Sequence, residues 1–300
     1  MRALVACPRR LLLVDVQRRS IGVVEGHRHE YYGVSWPFAG NELCLGHSGV
    51  DNDCVRTLDD YVKAEKGVVS LGRRQTDHAV LAPHQIVCTE EHVIATNTGR
   101  NCLTIFRQAD LYFRHRWLDD VQWDRLGRDV LCGSHYNSVY LDGEHLYVVA
   151  HNFERPSFVL ELSWPDMAIE RLISTTTSGA HNVWRMPDGH LLVCDTMRGS
   201  LVDITDRTTV WRCGRAGSLT RGLATDGRTL LVGHSQATSR NGRANSDGGI
   251  YVIDLATWKT LDFMDLPGMG MVNEIRLVDV PDLCHHGHPL AVAPQCDPIA

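Results

Sequence analysis

HNVWRMPDGHLLVCD, residues 181–195, decides how this chain is read. A polar residue opens it, a short apolar run follows, Pro-Asp-Gly marks a turn, and a second apolar run ends on Asp195. That is a strand, a tight turn and an antiparallel strand. The same pattern starts at Gly33 (GVSWPFAGNELCLGH), His84 (HQIVCTEEHVIATN), Asn137 (NSVYLDGEHLYVVAH) and Arg221 (RGLATDGRTLLVGH). A sixth start fits at Asn273 (NEIRLVD), and successive starts lie 40–53 residues apart. Repeats of this period signal stacked supersecondary units rather than one irregular sheet.

The sixth copy lacks its second strand, because the chain soon runs into LCHHGHPLAVAPQ. ALVAC (3–7) matches LLVGH and LLVCD, and LLLVDVQRRS (11–20) matches third-strand segments such as GGIYVIDLATWKT. The two ends of the chain therefore supply complementary parts of one unit. This predicts a closed, six-bladed all-β propeller, which leaves no long free sheet edge. Residues 1–300 form a single domain in this reading. Residues 1–30 and 272–280 share the closing blade, and 281–300 form an irregular tail. CLTIF (102–106), SFVLEL (157–162) and GSLVDI (199–204) read as third strands. Residues 51–67 and 108–128 can hold outer strands or a short helix, and the breaker-rich SQATSRNGRANSDGG (235–249) reads as a mobile loop.

PDGHLLVCDTMRGSLVDI (187–204) resembles the NHL repeat of six-bladed propellers, with its D-G-x-L-x-V-x-D stem and following Arg. The resemblance implies the fold. It does not choose among the binding modules, lyases, synthases and lactonases built on it.

Composition excludes several classes. A net charge of −6 argues against nucleic acid as a partner. No apolar run approaches the ~20 residues of a membrane span. ALVAC and LLLVDV, split by Pro8-Arg9-Arg10, are too short for a signal segment and read as strands. Ten cysteines include no C-x-x-C pair, and Cys88, Cys132 and Cys194 sit in or beside apolar strands. That usage suits reduced thiols and a cytoplasmic location.

The repeat also places the chemistry. Strand starts and second-strand ends fall at one end of a propeller, around its axis. The starts give Gly33, His84, Asn137, His181, Arg221 and Asn273. The ends give Cys7, His47, Asn97, His151, Asp195 and His234. Asn152, Asn182, His135 and Glu274 are neighbours. Imidazoles converging from separate blades suit a divalent transition metal such as Fe, Zn or Cu, with His84, His181, His151, His234 and His47 as ligands. Metal-free acid–base chemistry and hydrogen-bond capping between blades are the other two readings. Glu274 and Asp195 are expected as carboxylate ligand or base. Arg221 is expected to anchor a small anionic molecule, with Asn137, Asn273 and Asn182 beside it. Arginines also recur after the second strands, at Arg9, Arg10, Arg100, Arg155, Arg198, Arg240 and Arg243. The leading expectation is a metal-dependent enzyme. Its rival is a binding propeller that recognises a peptide or protein, and a metal-free lyase or synthase is a third possibility.

Overall fold

The computed structural model describes residues 1–38, 41–48, 66–76, 80–119, 133–285 and 287–299. Six antiparallel sheets follow one another along the chain. Blade one contains Tyr31–Ser35, Cys44–Ser48, Lys66–Leu71 and Arg74–Gln75. Blade two contains Pro83–Cys88, His92–Asn97, Cys102–Arg107 and Phe113–Trp117. Blade three contains Tyr136–Asp142, His145–Ala150, Phe158–Ser163 and Ile169–Ser174. Blade four contains His181–Arg185, Leu191–Asp195, Ser200–Asp203 and Thr208–Arg212. Blade five contains Ser218–Thr225, Thr229–Gln236, Gly248–Asp254 and Lys259–Leu266.

Blade six closes the ring as the sequence predicts. Glu274–Leu277 is its inner strand and pairs with Arg2–Ala6, which continues into Leu11–Asp15 and Ser20–Glu25. Asp297–Pro298 adds a short outermost strand against Val23 and Gly22, so the tail contributes regular structure at one point. Of the segments left open between strand and helix, 113–117 is the outer strand of blade two, whereas 49–65 and 120–132, which include Cys132, lie outside the described residues.

The core is a chain of contacts between neighbouring blades. Cys44, Val69, Ile86 and Cys88 pack blade one on blade two. Val87, Ile94, Leu146 and Val148 pack two on three. Tyr147, Trp184, Val193 and Val232 tie three, four and five together. Ala224, Ile250, Val5 and Ile275 join five to six. Leu4, Leu11, Val34 and Trp36 join six back to one. Trp36, Trp184 and Tyr140 are buried in these layers as packing residues. Closure therefore rests on apolar burial all the way round as well as on the shared sheet. Gly33 marks a close approach of blades one and two: a Cβ there would lie 2.9 Å from the backbone nitrogen of Ile86.

One irregularity recurs where the inner strand meets the axis. Register slips between Tyr31 and Gly33, Tyr136 and Ser138, His181 and Val183, and Arg221 and Leu223. Each is a bulge, two residues facing one, which breaks strict alternation.

The far end is shut by the segment after blade six. Asp282 accepts hydrogen bonds from the backbone N–H groups of Thr225 (3.2 Å), Leu277 (3.0 Å) and Cys284 (3.0 Å). The Trp36 indole donates to the His288 carbonyl (2.7 Å), and the Tyr140 hydroxyl donates to the Leu283 carbonyl (3.3 Å). The tail thus spans the ends of inner strands from four blades. No helix among the described residues is long and apolar enough to cross a membrane.

Candidate functional site at the mouth of the axial channel

Successive residues reach the axis in pairs, three of them at a register slip: His84 with Gln85, Asn137 with Ser138, and His181 with Asn182. With Asn273 and Glu274 they line one cavity of about 240 Å³. Arg221, Arg243, His135, His151, Tyr32, Phe153 and Glu30 also line it.

Four imidazoles form a closed circuit in it. Ring centroids lie 5.2 Å apart for His84 and His135, 5.2 Å for His135 and His151, 5.5 Å for His151 and His181, and 6.2 Å for His181 and His84. Imidazoles around one zinc ion would place their centroids about 5 Å apart, given the usual Zn–N distance. Tyr32 stacks on His84, and Phe153 packs against His135 and His151.

Hydrogen bonds set the tautomers. His84 Nδ1 lies 2.8 Å from the Ala82 carbonyl. His181 Nδ1 lies 3.0 Å from the Gly179 carbonyl and 2.9 Å from Thr196 Oγ1, whose own proton goes to the Thr220 carbonyl. A carbonyl only accepts, so Nδ1 carries the proton in both rings and Nε2 presents a lone pair. This is the usual support for a metal-binding histidine. His181 Nε2 is buried and has no hydrogen-bond partner. His151 is opposite: its Nδ1 accepts from the Phe153 N–H (3.1 Å), so its neutral form carries the proton on Nε2.

Charge follows the same division. Burial, then the Arg221 and Arg243 guanidiniums, pushes His151 down to about 4. Burial, then Arg221 and the surrounding imidazoles, holds His181 well below the ordinary histidine range. Burial and the neighbouring Arg243 push Arg221 down to about 9, with Glu30 opposing. Arg221 Nε is buried without a partner. These are neutral imidazoles beside a desolvated cation, a setting that attracts an anion.

The floor is a buried polar network. Glu274 accepts from Gln85 Nε2 (2.5 Å), Arg276 Nη1 (2.9 Å), the Ile275 N–H (3.1 Å) and Asn182 Nδ2 (3.5 Å). Burial raises its carboxyl to about 7 against the pull of Arg276. Asn182 Oδ1 accepts from the Gly222 N–H (2.7 Å), and Asn273 Nδ2 donates to the Tyr31 carbonyl (2.8 Å).

Of the residues the sequence singled out, His84, His181, His151, Arg221, Glu274, Asn137, Asn182 and Asn273 meet at this cavity. Asp195, His47 and His234 do not line it. Arg221 pairs with Gly233, so His234, one position on, turns to the opposite face. There it packs on Tyr251 and Phe263, and its Nδ1 lies 2.5 Å from Ser218 Oγ. Asp195 accepts from the Ser178 N–H (2.9 Å) and Arg198 Nη1 (3.1 Å), a loop brace. His47 Nδ1 lies 2.6 Å from the Ser48 carbonyl, and its ring is fully buried. His151 escapes the alternation because blade three's second strand stops at Ala150, and Asn152 and Phe153 turn at φ 59° and 49°.

Of the recurring arginines, Arg243 reaches the cavity and Arg198 braces Asp195. The segment read as a mobile loop carries it there. Arg240–Asn245 forms a 3-10 helix whose Arg243 carbonyl accepts from the Met271 N–H (3.0 Å). Tyr32, Gln85, Glu30 and Phe153 were not foreseen. Tyr32 and Gln85 adjoin named positions, and the bulge that turns such neighbours inward has no mark in the sequence.

The sets of three His, Cys, Asp or Glu side chains with all ligand atoms within 4.8 Å, among the described residues, lie elsewhere. They are His145–Glu161–Glu170 and His190–Asp203–Asp206, at the other ends of the same second strands.

No protein-family model and no curated protein sequence matches the chain. Solved structures do. A chain of a nidogen/laminin complex aligns over 92% of this chain and 97% of its own length, at TM-score 0.63 and 11% identity. Hydrazine synthase of Kuenenia stuttgartiensis aligns over 79% of this chain and 66% of its own, at TM-score 0.51 and 14% identity. At such identities the likeness is one of fold: this chain is a six-bladed β-propeller, an architecture found both in an enzyme and in a protein–protein complex.

Proposed function

We propose that this propeller is a metal-dependent enzyme acting on a small anionic molecule at the mouth of its channel. One observation carries the reading. Imidazoles from blades two, three and four face a single cavity with two guanidiniums, and both His181 Nε2 and Arg221 Nε are buried there with unmet hydrogen-bonding capacity. A buried polar atom left unpaired is costly, and such atoms cluster where a ligand satisfies them. Imidazole nitrogen suits Fe, Zn or Cu. A bound ion would polarise a substrate oxygen as a Lewis acid. Arg221 and Arg243 hold and orient the anion. Glu274, near neutrality on the cavity floor, can exchange a proton at its carboxylate. The reaction fits elimination, hydrolysis or oxygenation. The finer kinship, to NHL-type repeats, rests on the segment 187–204.

The test is metal content of tag-free protein by elemental analysis, against a His84→Ala/His181→Ala double variant. Stoichiometric metal in the wild type and its loss in the double variant is the expected result. Sub-stoichiometric metal in both would refute the proposal.

The groove at the far end supports a second reading, a binding propeller. Phe38, Tyr140, Trp164 and Trp184 line it with Glu90, Glu91 and Asp142, around a volume of about 850 Å³. Trp184 and Tyr140 are 2% and 6% exposed, however, so little aromatic surface is on offer to a partner.

A further inference from the structure

The lining of the mouth cavity is divided by blade. Blades one to four give it rings in an unbroken arc. Tyr32 stacks on His84 with centroids 5.6 Å apart, and His84 meets His135 at 5.2 Å. His135 meets Phe153 at 4.9 Å and His151 at 5.2 Å, and His151 meets His181 at 5.5 Å. Among the described residues blade five contributes no ring to the lining. It contributes Arg221 from its inner strand and Arg243 from the 3-10 helix between its second and third strands. Each inner strand packs on the next, so in the closed ring of six blade five stands opposite blade two. Arg221 thus faces the arc of rings across the axis, with Arg243 near enough to act on it electrostatically. Among the described residues no carboxylate pairs with either guanidinium, and Arg221 Nε is buried without a partner. Two of the rings are also held in a costly backbone conformation. His135 and Phe153 sit at φ 52° and 49°, in the left-handed region that bulky side chains avoid. Such strain persists where the surrounding structure imposes it, and it clusters at ligand clamps. The metal reading gives neither residue a role.

We infer that the cavity takes a planar aromatic carboxylate, its ring packed in the arc beside His135 and Phe153 and its carboxylate on Arg221 and Arg243. The inference rests on the anion-binding part of the reading above and names the substrate class. Aromatic and imidazole rings pack on a flat π-system offset or edge-to-face, so a planar ligand extends the contacts that the arc already makes. The planar guanidinium fork matches a carboxylate through two parallel N–H···O bonds. The size agrees. A cavity of about 150 Å³ holds benzene, and this one, at about 240 Å³, takes the ring with a carboxylate attached.

The experiment is calorimetric titration of the full chain with benzoate, cyclohexanecarboxylate and benzamide, before and after treatment with a chelator. Benzoate should bind about tenfold more tightly than cyclohexanecarboxylate, which has the same charge and ring size but is not flat. It should bind about tenfold or more tightly than benzamide, which keeps the flat ring and lacks the charge. Both preferences should hold with and without metal, because neither the arc nor the guanidiniums need the ion. Arg243→Gln should weaken the preference over benzamide and keep that over cyclohexanecarboxylate. Phe153→Leu should do the reverse. The wild-type comparison needs neither variant, so it decides the matter if they fold poorly. Benzoate that does not bind the wild type, or binds no better than either analogue, would overturn the inference while leaving any metal site in place. Wild-type protein that holds no metal yet prefers benzoate would sink the metal reading and sustain this one.

Discussion

Blades three and four each present histidine at both ends of the propeller, His145 and His190 at the start of their second strands and His151 and His181 at the mouth, and the two ends behave in opposite ways. At the far end, His145 and His190 meet carboxylates: His145 Nδ1 lies 3.1 Å from Glu161, and His190 Nδ1 lies 2.7 Å from Asp203. The Asp203 hydrogen bond raises His190, which titrates in solvent. At the mouth, His151 and His181 meet one another, Arg221 and a dry wall, and burial drives both down. The residue type is constant, and the repeat that presents it is constant. What differs is the company. A carboxylate partner favours the protonated form of His190, whereas desolvation beside guanidinium favours the neutral form of His151 and His181.

The largest effect expected from breaking this contrast is at the floor that supports the mouth. Glu274 and Arg276 are each 1% exposed or less and form an ion pair at 2.9 Å. Glu274→Ala strands the Arg276 charge, and a loss of about 3–5 kcal/mol in urea unfolding is expected. A change under about 1 kcal/mol would mean that the axial network is not structural.

The next test is acid titration of stability. A histidine whose folded pKa is depressed favours the folded state only while neutral. The unfolded chain takes up protons first, from about 6.5. His151 should therefore cost stability as pH falls from about 6.5 towards about 4. His190 is raised, so it contributes stability that is present below about 6.5 and lost as pH rises through its folded value. Glu274, raised to about 7, opposes His151: its contribution is present in acid and lost as pH rises towards 7. Chemical denaturation from pH 4 to about 9 should show a shallower loss below about 6.5 in His151→Gln, and in His190→Gln a shallower loss as pH rises above about 6.5. The same slope change in both would erase the distinction between the two ends.

The smallest effect should come from the residues that the strand turns away. Asp195→Ala removes a loop brace and should cost about 1–2 kcal/mol, with metal content and anion binding unchanged. Loss of bound metal in that variant would return Asp195 to the site.

Fold and site were legible to different depths. Blade number and closure followed from the repeat, because Asn273 and ALVAC are halves of a unit seen whole elsewhere. The first ring of positions was also legible: His84, Asn137, His181, Arg221 and Asn273 all reach the cavity. The second ring was not. His47, His151, Asp195 and His234 occupy equivalent points in the text, yet His151 alone faces the cavity. Its strand ends one residue earlier, and a left-handed turn redirects it.

Sequence periodicity determined what recurs: six strand pairs, their order, the complementary chain ends and the polar residues that open each pair. Spacing along the chain is set by local propensity and turn chemistry, and both are written residue by residue. Tertiary structure decided which of those polar residues face the axis, which imidazole nitrogen keeps its proton, and which arginine arrives from a distant loop. These depend on bulges, strand ends and carbonyls supplied by neighbouring segments. One residue of register is enough to turn a side chain from the cavity into a sheet interior.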